Sequence, residues 1–159
     1  MTSAAEFIDR TLQMEGSEAR ADADAHRIGG GFRFYGASVG AVRGTVRDAG
    51  RRYPRMSHDE VTALAAELWS EPVYERRFAA TVLLQGALPL LRGTDLTRVE
   101  QFLRDARVSE LIDPLAIDVV GPLLERLTEP DATRARRIVE RWSQSDDPNL
   151  LRAAGLLRG

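Results

Sequence analysis

Asp113 lies in the run SELIDPLAIDVVG, between an apolar pair and a proline. A carboxylate there has two readings. As a structural residue it is the N-cap of a helix opened by Pro114, accepting a bond from a free backbone N–H. As a chemical residue it is a fixed negative charge at a helix mouth, able to stabilise a developing cation or to orient a water. Two arginine rows are the other candidates. Arg43, Arg47 and Arg51 are spaced i, i+4, i+8, with Arg55 beyond them, and Arg134, Arg137 and Arg141 are spaced i, i+3, i+7. Either spacing sets its guanidinium groups along one side of a helix. Each row is a solvated face or, if both face one concave surface, part of a track for a phosphate backbone.

Composition narrows the chemistry. The 22 basic residues are all arginine, whose planar fork suits bidentate phosphate contact; a plain compositional bias is the alternative. The net charge of −2 hides an uneven distribution. Residues 32–55 sum to +5 and residues 134–158 to +3, whereas residues 56–133 sum to −7. Two local segments therefore permit nucleic-acid binding that the overall charge does not advertise. The absence of cysteine removes disulfides and thiolate chemistry. With only His26 and His58 present, a His-rich metal site is excluded, and no metal or cofactor is expected. No apolar run is long enough for a membrane span. The segment MTSAAEFIDRTLQMEG is too polar for a signal peptide, so a cytoplasmic location and no membrane partner are expected.

The elements that must carry these residues read as helices throughout. Residues 3–15 and 17–28 form the first two, with Gly16 between them, and the Gly-rich, aromatic stretch GGGFRFYG follows at 29–36. That stretch either touches nucleic acid or packs over the first hairpins. Ser38 caps a third helix to about residue 52, with Val39, Val42, Val46 and Ala49 inward, and Pro54 stops it. Ser57-His58-Asp59-Glu60 is a capping box, leading Val61, Leu64, Ala65, Leu68 and Trp69 at helical spacing. Pro72 suits the first turn of the next helix, through FAATVLL. Asp95 or Thr94 starts another, with Leu96, Val99, Leu103 and Ala106 inward. Pro114 opens the next, with Ala116, Val119, Val120, Leu123 and Leu124 inward. Asp131 caps a helix bearing Ala135, Ile138, Val139 and Trp142, and Pro148 opens the last.

A weak repeat runs through these helices. LWSEPVYERRFAATVLL at 68–84 resembles ERWSQSDDPNLLRAAGLL at 140–157, and Ala79, Ala116 and Ala153 are 37 residues apart. One helical pair per such unit implies an all-α solenoid of stacked hairpins, a single domain over 1–159 with a concave surface. Trp69 and Trp142 occupy matching places, as core residues before base-stacking platforms.

Four segments in series, FYGASVGAVRGTVRDA, ELWSEPVYERRFAATVLL, LIDPLAIDVVGPLL and RWSQSDDPNLLRAAGLL, resemble the AlkD-like DNA alkylation repair glycosylases in order and spacing, over about residues 32–158. The resemblance implies HEAT-like repeats and hydrolysis of the N-glycosidic bond of cationic N3- or N7-alkylated purines in double-stranded DNA. It implies that this occurs without base flipping; a monomer is expected. Asp113 stands at the family's catalytic Asp, Arg152 at the Arg that holds the DNA backbone near the lesion, and Arg43 at an Arg of the N-terminal groove helix. Ser109 and Asn149 stand where the family has Trp residues, and Gly159 comes before the family's last repeats, so a solenoid shortened at its C-terminus is expected. A non-catalytic helical-repeat module that binds DNA or protein through its concave face is the alternative. On the glycosylase reading Asp113 and Arg152, 39 residues apart, are expected on one concave face.

Overall fold

The computed structural model describes residues 1–158. The fold is all-α, and regular structure among the described residues is helical apart from one isolated bridge between Arg33 and Val73. Two compact units divide the chain, Met1–Ala87 and Leu88–Gly159.

The first unit holds α1 (Ser3–Glu15), α2 (Glu18–Arg27), α3 (Val39–Arg52), α4 (His58–Ser70) and α5 (Tyr74–Gly86). Two of its caps, Ser38 and the Ser57–Glu60 box, are those the sequence announces, and Thr2 and Ser17 add two more. Thr2, Ser17 and Ser38 each accept a backbone N–H at the start of their helix, and Ser57 with Glu60 closes the capping box of α4. α3 buries Val42, Val46 and Ala49 and α4 buries Leu64, Ala65 and Leu68, each helix packing on α1 and α5, while Val39, in the first turn of α3, is exposed rather than inward. Pro72 sits ahead of α5 rather than in its first turn; its carbonyl accepts the Arg33 N–H in the bridge.

The GGGFRFYG stretch packs over the unit's helices. Phe34 and Tyr74 stack at 5.5 Å, and Phe32 meets Tyr74 edge-on at 6.2 Å. Gly36 adopts φ +81°, and a Cβ there would lie 2.1 Å from the Ser17 carbonyl oxygen, so only glycine fits.

The second unit holds 3₁₀ turns at Leu88–Leu90 and Gly93–Asp95, then α6 (Leu96–Asp105), α7 (Ser109–Pro114), α8 (Gly121–Arg126), α9 (Asp131–Trp142) and α10 (Pro148–Arg158). Leu96, Val99, Leu103 and Ala106 are buried as their spacing requires. Two helix starts differ from expectation. Asp131 is the first residue of α9 and caps nothing; Glu129 instead accepts the Thr133 N–H at 2.8 Å. Asp113 is not an N-cap either, because α7 begins four residues earlier, at Ser109. The reason is the link before it: Arg107 takes a left-handed φ of 66°, which lets the Val108 carbonyl accept the N–H groups of Leu111 and Ile112. Pro114 closes α7 instead of opening a helix. Without an N–H it cannot join the i to i−4 ladder, and Leu115–Val120 continue in wider π-helical turns, with the Gly121 N–H reaching the Ala116 carbonyl five residues back.

Ala79, Ala116 and Ala153 are all fully buried. Trp69 and Trp142 are core residues, and the Trp142 indole N–H donates to Glu100 Oε1 at 2.6 Å.

Candidate active site

The second unit brings Asp113 and Arg152 into direct contact. Leu111 and Ile112 of α7 turn into the core and leave Glu110 and Asp113, one helical turn apart, on the outer side. On α10, Leu150, Ala153 and Ala154 are buried, and the small alanines allow a close approach to the Ser109–Arg126 stretch. Arg152, beside them, points its fork at Asp113. Nε donates to Oδ1 at 2.7 Å and Nη2 to Oδ2 at 2.8 Å. This is the bidentate pairing in which a guanidinium matches a carboxylate edge to edge.

The pair is open to solvent, with the Arg152 side chain 49% and the Asp113 side chain 33% exposed. The hydrogen bond to Asp113, then the charge of Asp113 and that of Glu110, hold the Arg152 guanidinium above its ordinary, already very high pKa. Glu110 itself accepts the Ser109 hydroxyl at 3.2 Å. One fixed cation thus faces two carboxylates, leaving a local excess of negative charge. The π-helical turns begin two residues after Asp113, and such turns recur at functional sites.

Chemically the arrangement can do two things. The guanidinium fork recognises phosphate as well as carboxylate, so Arg152 can exchange Asp113 for a phosphate without changing its geometry of recognition. Once relieved of Arg152, Asp113 presents both oxygens to a cation or a water. Among the described residues no group of His, Asp and Glu is arranged to hold a metal ion.

The arginine rows are placed separately, one in each unit. Arg43, Arg47 and Arg51 are exposed on α3, where Arg43 lies 5.6 Å over the Phe78 ring and reaches Gln85 Oε1 at 3.4 Å. Arg51 approaches Asp48 at 3.5 Å. Arg134, Arg137 and Arg141 are exposed on α9, with Arg134 3.6 Å from Asp131. Ser109 is half-buried at the start of α7, and Asn149, in the first turn of α10, donates from Nδ2 to the Leu103 carbonyl at 2.9 Å.

Sequence reading assigned nothing to Glu75, Arg76 and Arg77, although they stand in one of the segments that carry the resemblance. All three are buried. Glu75 accepts the backbone N–H groups of Tyr35, Gly36 and Ala37 at 2.9, 2.9 and 3.2 Å. Arg76 donates to the carbonyls of Leu68 and Glu67 and pairs with Asp9 at 3.1 Å, and Arg77 donates to the Trp69 carbonyl. The two arginines thereby satisfy the last carbonyls of α4. The signal was a charged triplet inside an otherwise apolar helix, EPVYERRFAA.

No helix of the described residues is long and apolar enough to cross a membrane. A family model described as DNA alkylation repair enzyme matches residues 8–157. A search of curated proteins finds no match.

Proposed function

The chain belongs to the DNA alkylation repair enzyme family, and from that premise we propose that it is a DNA N-glycosylase acting on cationic alkylated purines in duplex DNA, with Asp113 as its catalytic carboxylate and Arg152 as its phosphate-binding partner. The observation that carries the reading is the bidentate Arg152–Asp113 pair at 2.7 and 2.8 Å on an exposed helix edge. An N3- or N7-alkylated purine carries its own positive charge, so its departure needs no general acid. The barrier left is charge development on the sugar, where one preorganised carboxylate supplies stabilisation of about 3 kcal/mol.

In this reading the ion pair is the resting state. A DNA phosphate near the lesion draws Arg152 from Asp113, and the freed carboxylate faces the sugar as the glycosidic bond breaks. The bonding electrons leave with the purine, neutralising it. A water oriented by Asp113 then adds to the sugar carbon and gives up its proton to the Asp113 carboxylate, which passes it to solvent. Arg43, Arg47 and Arg51, and Arg134, Arg137 and Arg141, supply further phosphate contacts, each adding roughly 0.9 to the slope of log affinity against log salt. The protein acts as a monomer, without metal or cofactor, and binds DNA with little regard to sequence.

Ser109 gives the sugar no aromatic wall, so turnover is slow; a small misplacement at a reacting centre costs about a hundredfold. The test is release of 7-methylguanine from a methylated duplex by purified protein. We expect release above the spontaneous rate, and a faster rate for Ser109→Trp. No release above the spontaneous rate by either protein would overturn the glycosylase reading and favour a non-catalytic DNA-binding relative.

A further inference from the structure

We infer that Asn149 is a positioning residue: its side-chain amide fixes α10 against the corner between α6 and α7, and so sets the contact between Arg152 and Asp113. Asn149 Nδ2 donates to the Leu103 carbonyl at 2.9 Å across 46 residues of sequence. Leu103 is in the last turn of α6, where its carbonyl accepts the Ala106 N–H at 3.3 Å and has its second lone pair open to the Asn149 amide. Only the Ala106–Val108 link separates α6 from α7, the helix that carries Asp113. Asn149 and Arg152 are three residues apart on α10 and therefore lie on neighbouring parts of one face. A single hydrogen bond thus joins the start of the arginine's helix to the end of the segment that launches the carboxylate's helix.

The surroundings of Asn149 make the bond directional. Asp147 caps α10, its Oδ1 accepting the N–H groups of Asn149 and Leu150 at 2.8 and 3.3 Å. Its other oxygen lies 3.5 Å from Arg104 Nη1, also in the last turn of α6. Arg104 and Asp147 are partly exposed charged groups whose pairing tolerates several geometries. The amide–carbonyl bond of Asn149 is shorter and tied to the backbone, so it sets the rotation of α10 about its axis. That rotation decides whether the Arg152 fork meets both oxygens of Asp113 or only one. The consequence for base release rests on the function proposed above; the positional inference does not.

The experiment compares wild type with Asn149→Leu, which keeps the bulk without the donor, and Asn149→Ala, which keeps neither. The readout is the Arg152 Nε–H resonance in labelled protein, assigned through Arg152→Lys. The Trp142 indole N–H, bonded to Glu100 in the same unit, is the internal control. In wild type the Arg152 signal should be displaced from the free-arginine position and slow to exchange, as it should not be in Asp113→Asn. Asn149→Leu and Asn149→Ala should each move it most of the way to the Asp113→Asn value while the Trp142 signal stays in place. Base release should fall in parallel by about tenfold to a hundredfold at saturating DNA. An unmoved Arg152 signal in both variants would overturn the inference. So would loss of the Arg152 and Trp142 signals together, which would mark Asn149 as merely structural. A wild type that releases no base would remove the glycosylase reading alone, and the resonance would still decide the role of Asn149.

Discussion

Each unit contains an Asp–Arg pair, and the two pairs are opposites. In the first, Arg76 and Asp9 meet at 3.1 Å with side chains only 4% and 13% exposed. Arg76 also donates to two carbonyls of α4, and the Tyr35 hydroxyl donates to Asp9 at 2.6 Å. Every strong group there already has a protein partner, so nothing is left for a ligand to take. In the second, Arg152 and Asp113 meet at 2.7 and 2.8 Å with side chains 49% and 33% exposed. The same two residue types thus tie helices together inside the fold in one place and lie open to solvent in the other. Burial and the completeness of the surrounding hydrogen bonds, not the ion pair itself, tell them apart.

The sharpest way to break this comparison is to remove one member from each pair. Arg76→Ala leaves Asp9 buried without its cation and the last carbonyls of α4 without a donor. We expect a loss of about 3–5 kcal/mol, read by denaturant unfolding. Arg152→Ala leaves Asp113 in water and should move the melting temperature by no more than about 2 °C. A large loss from the second and a small one from the first would reverse the assignment.

The pH profile gives a smaller but signed effect in the first unit. Burial pushes the Asp9 carboxyl up, but hydrogen bonds from Tyr35 and Arg76 outweigh it and hold the group below its ordinary range. A depressed carboxylate contributes stability that is complete above its unfolded pKa, about 3.9, and is lost as pH falls through the folded value. Burial, and then the bond to Asp9, push the Tyr35 phenol up to about 12. That contribution is complete below the unfolded value of about 10 and disappears as pH rises toward the folded one. Stability should therefore fall at both ends, and Tyr35→Phe should flatten the alkaline fall in a melting curve taken against pH.

The smallest effect is on DNA affinity. Asp113→Asn removes a charge that repels phosphate and releases Arg152, so undamaged duplex should bind a few-fold more tightly at low salt. Arg152→Ala should reduce the salt slope by roughly 0.9, the value for one phosphate contact. Weaker binding by Asp113→Asn would contradict the resting-state role of the pair.

Much of this was legible before the structure. Caps at Ser38 and Ser57, Pro148 as the first residue of α10, and the inward faces of α4 and α6 follow from local chemistry and helical spacing. The start of α7 was not legible, because it depends on a left-handed Arg107, a conformation that no glycine or asparagine announced. The π-helical turns after Pro114 escaped for a similar reason: a proline reads as a helix opener, and here it redirects the ladder. The buried charges of Glu75, Arg76 and Arg77 were hidden because most of their hydrogen-bond partners are backbone groups, which carry no sequence signature, and the Asp9 partner of Arg76 lies 67 residues away. Asp113 and Arg152 were named as a pair by resemblance; their direct bond came from the packing of α10.

The most direct test of the account is a single-turnover measurement of 7-methylguanine release by Asp113→Asn, with protein in excess over methylated duplex so that binding is saturated. We expect a rate indistinguishable from spontaneous loss, in a protein that melts with wild type. A rate equal to that of the wild-type enzyme would show that the exposed carboxylate does no chemistry and would contradict it.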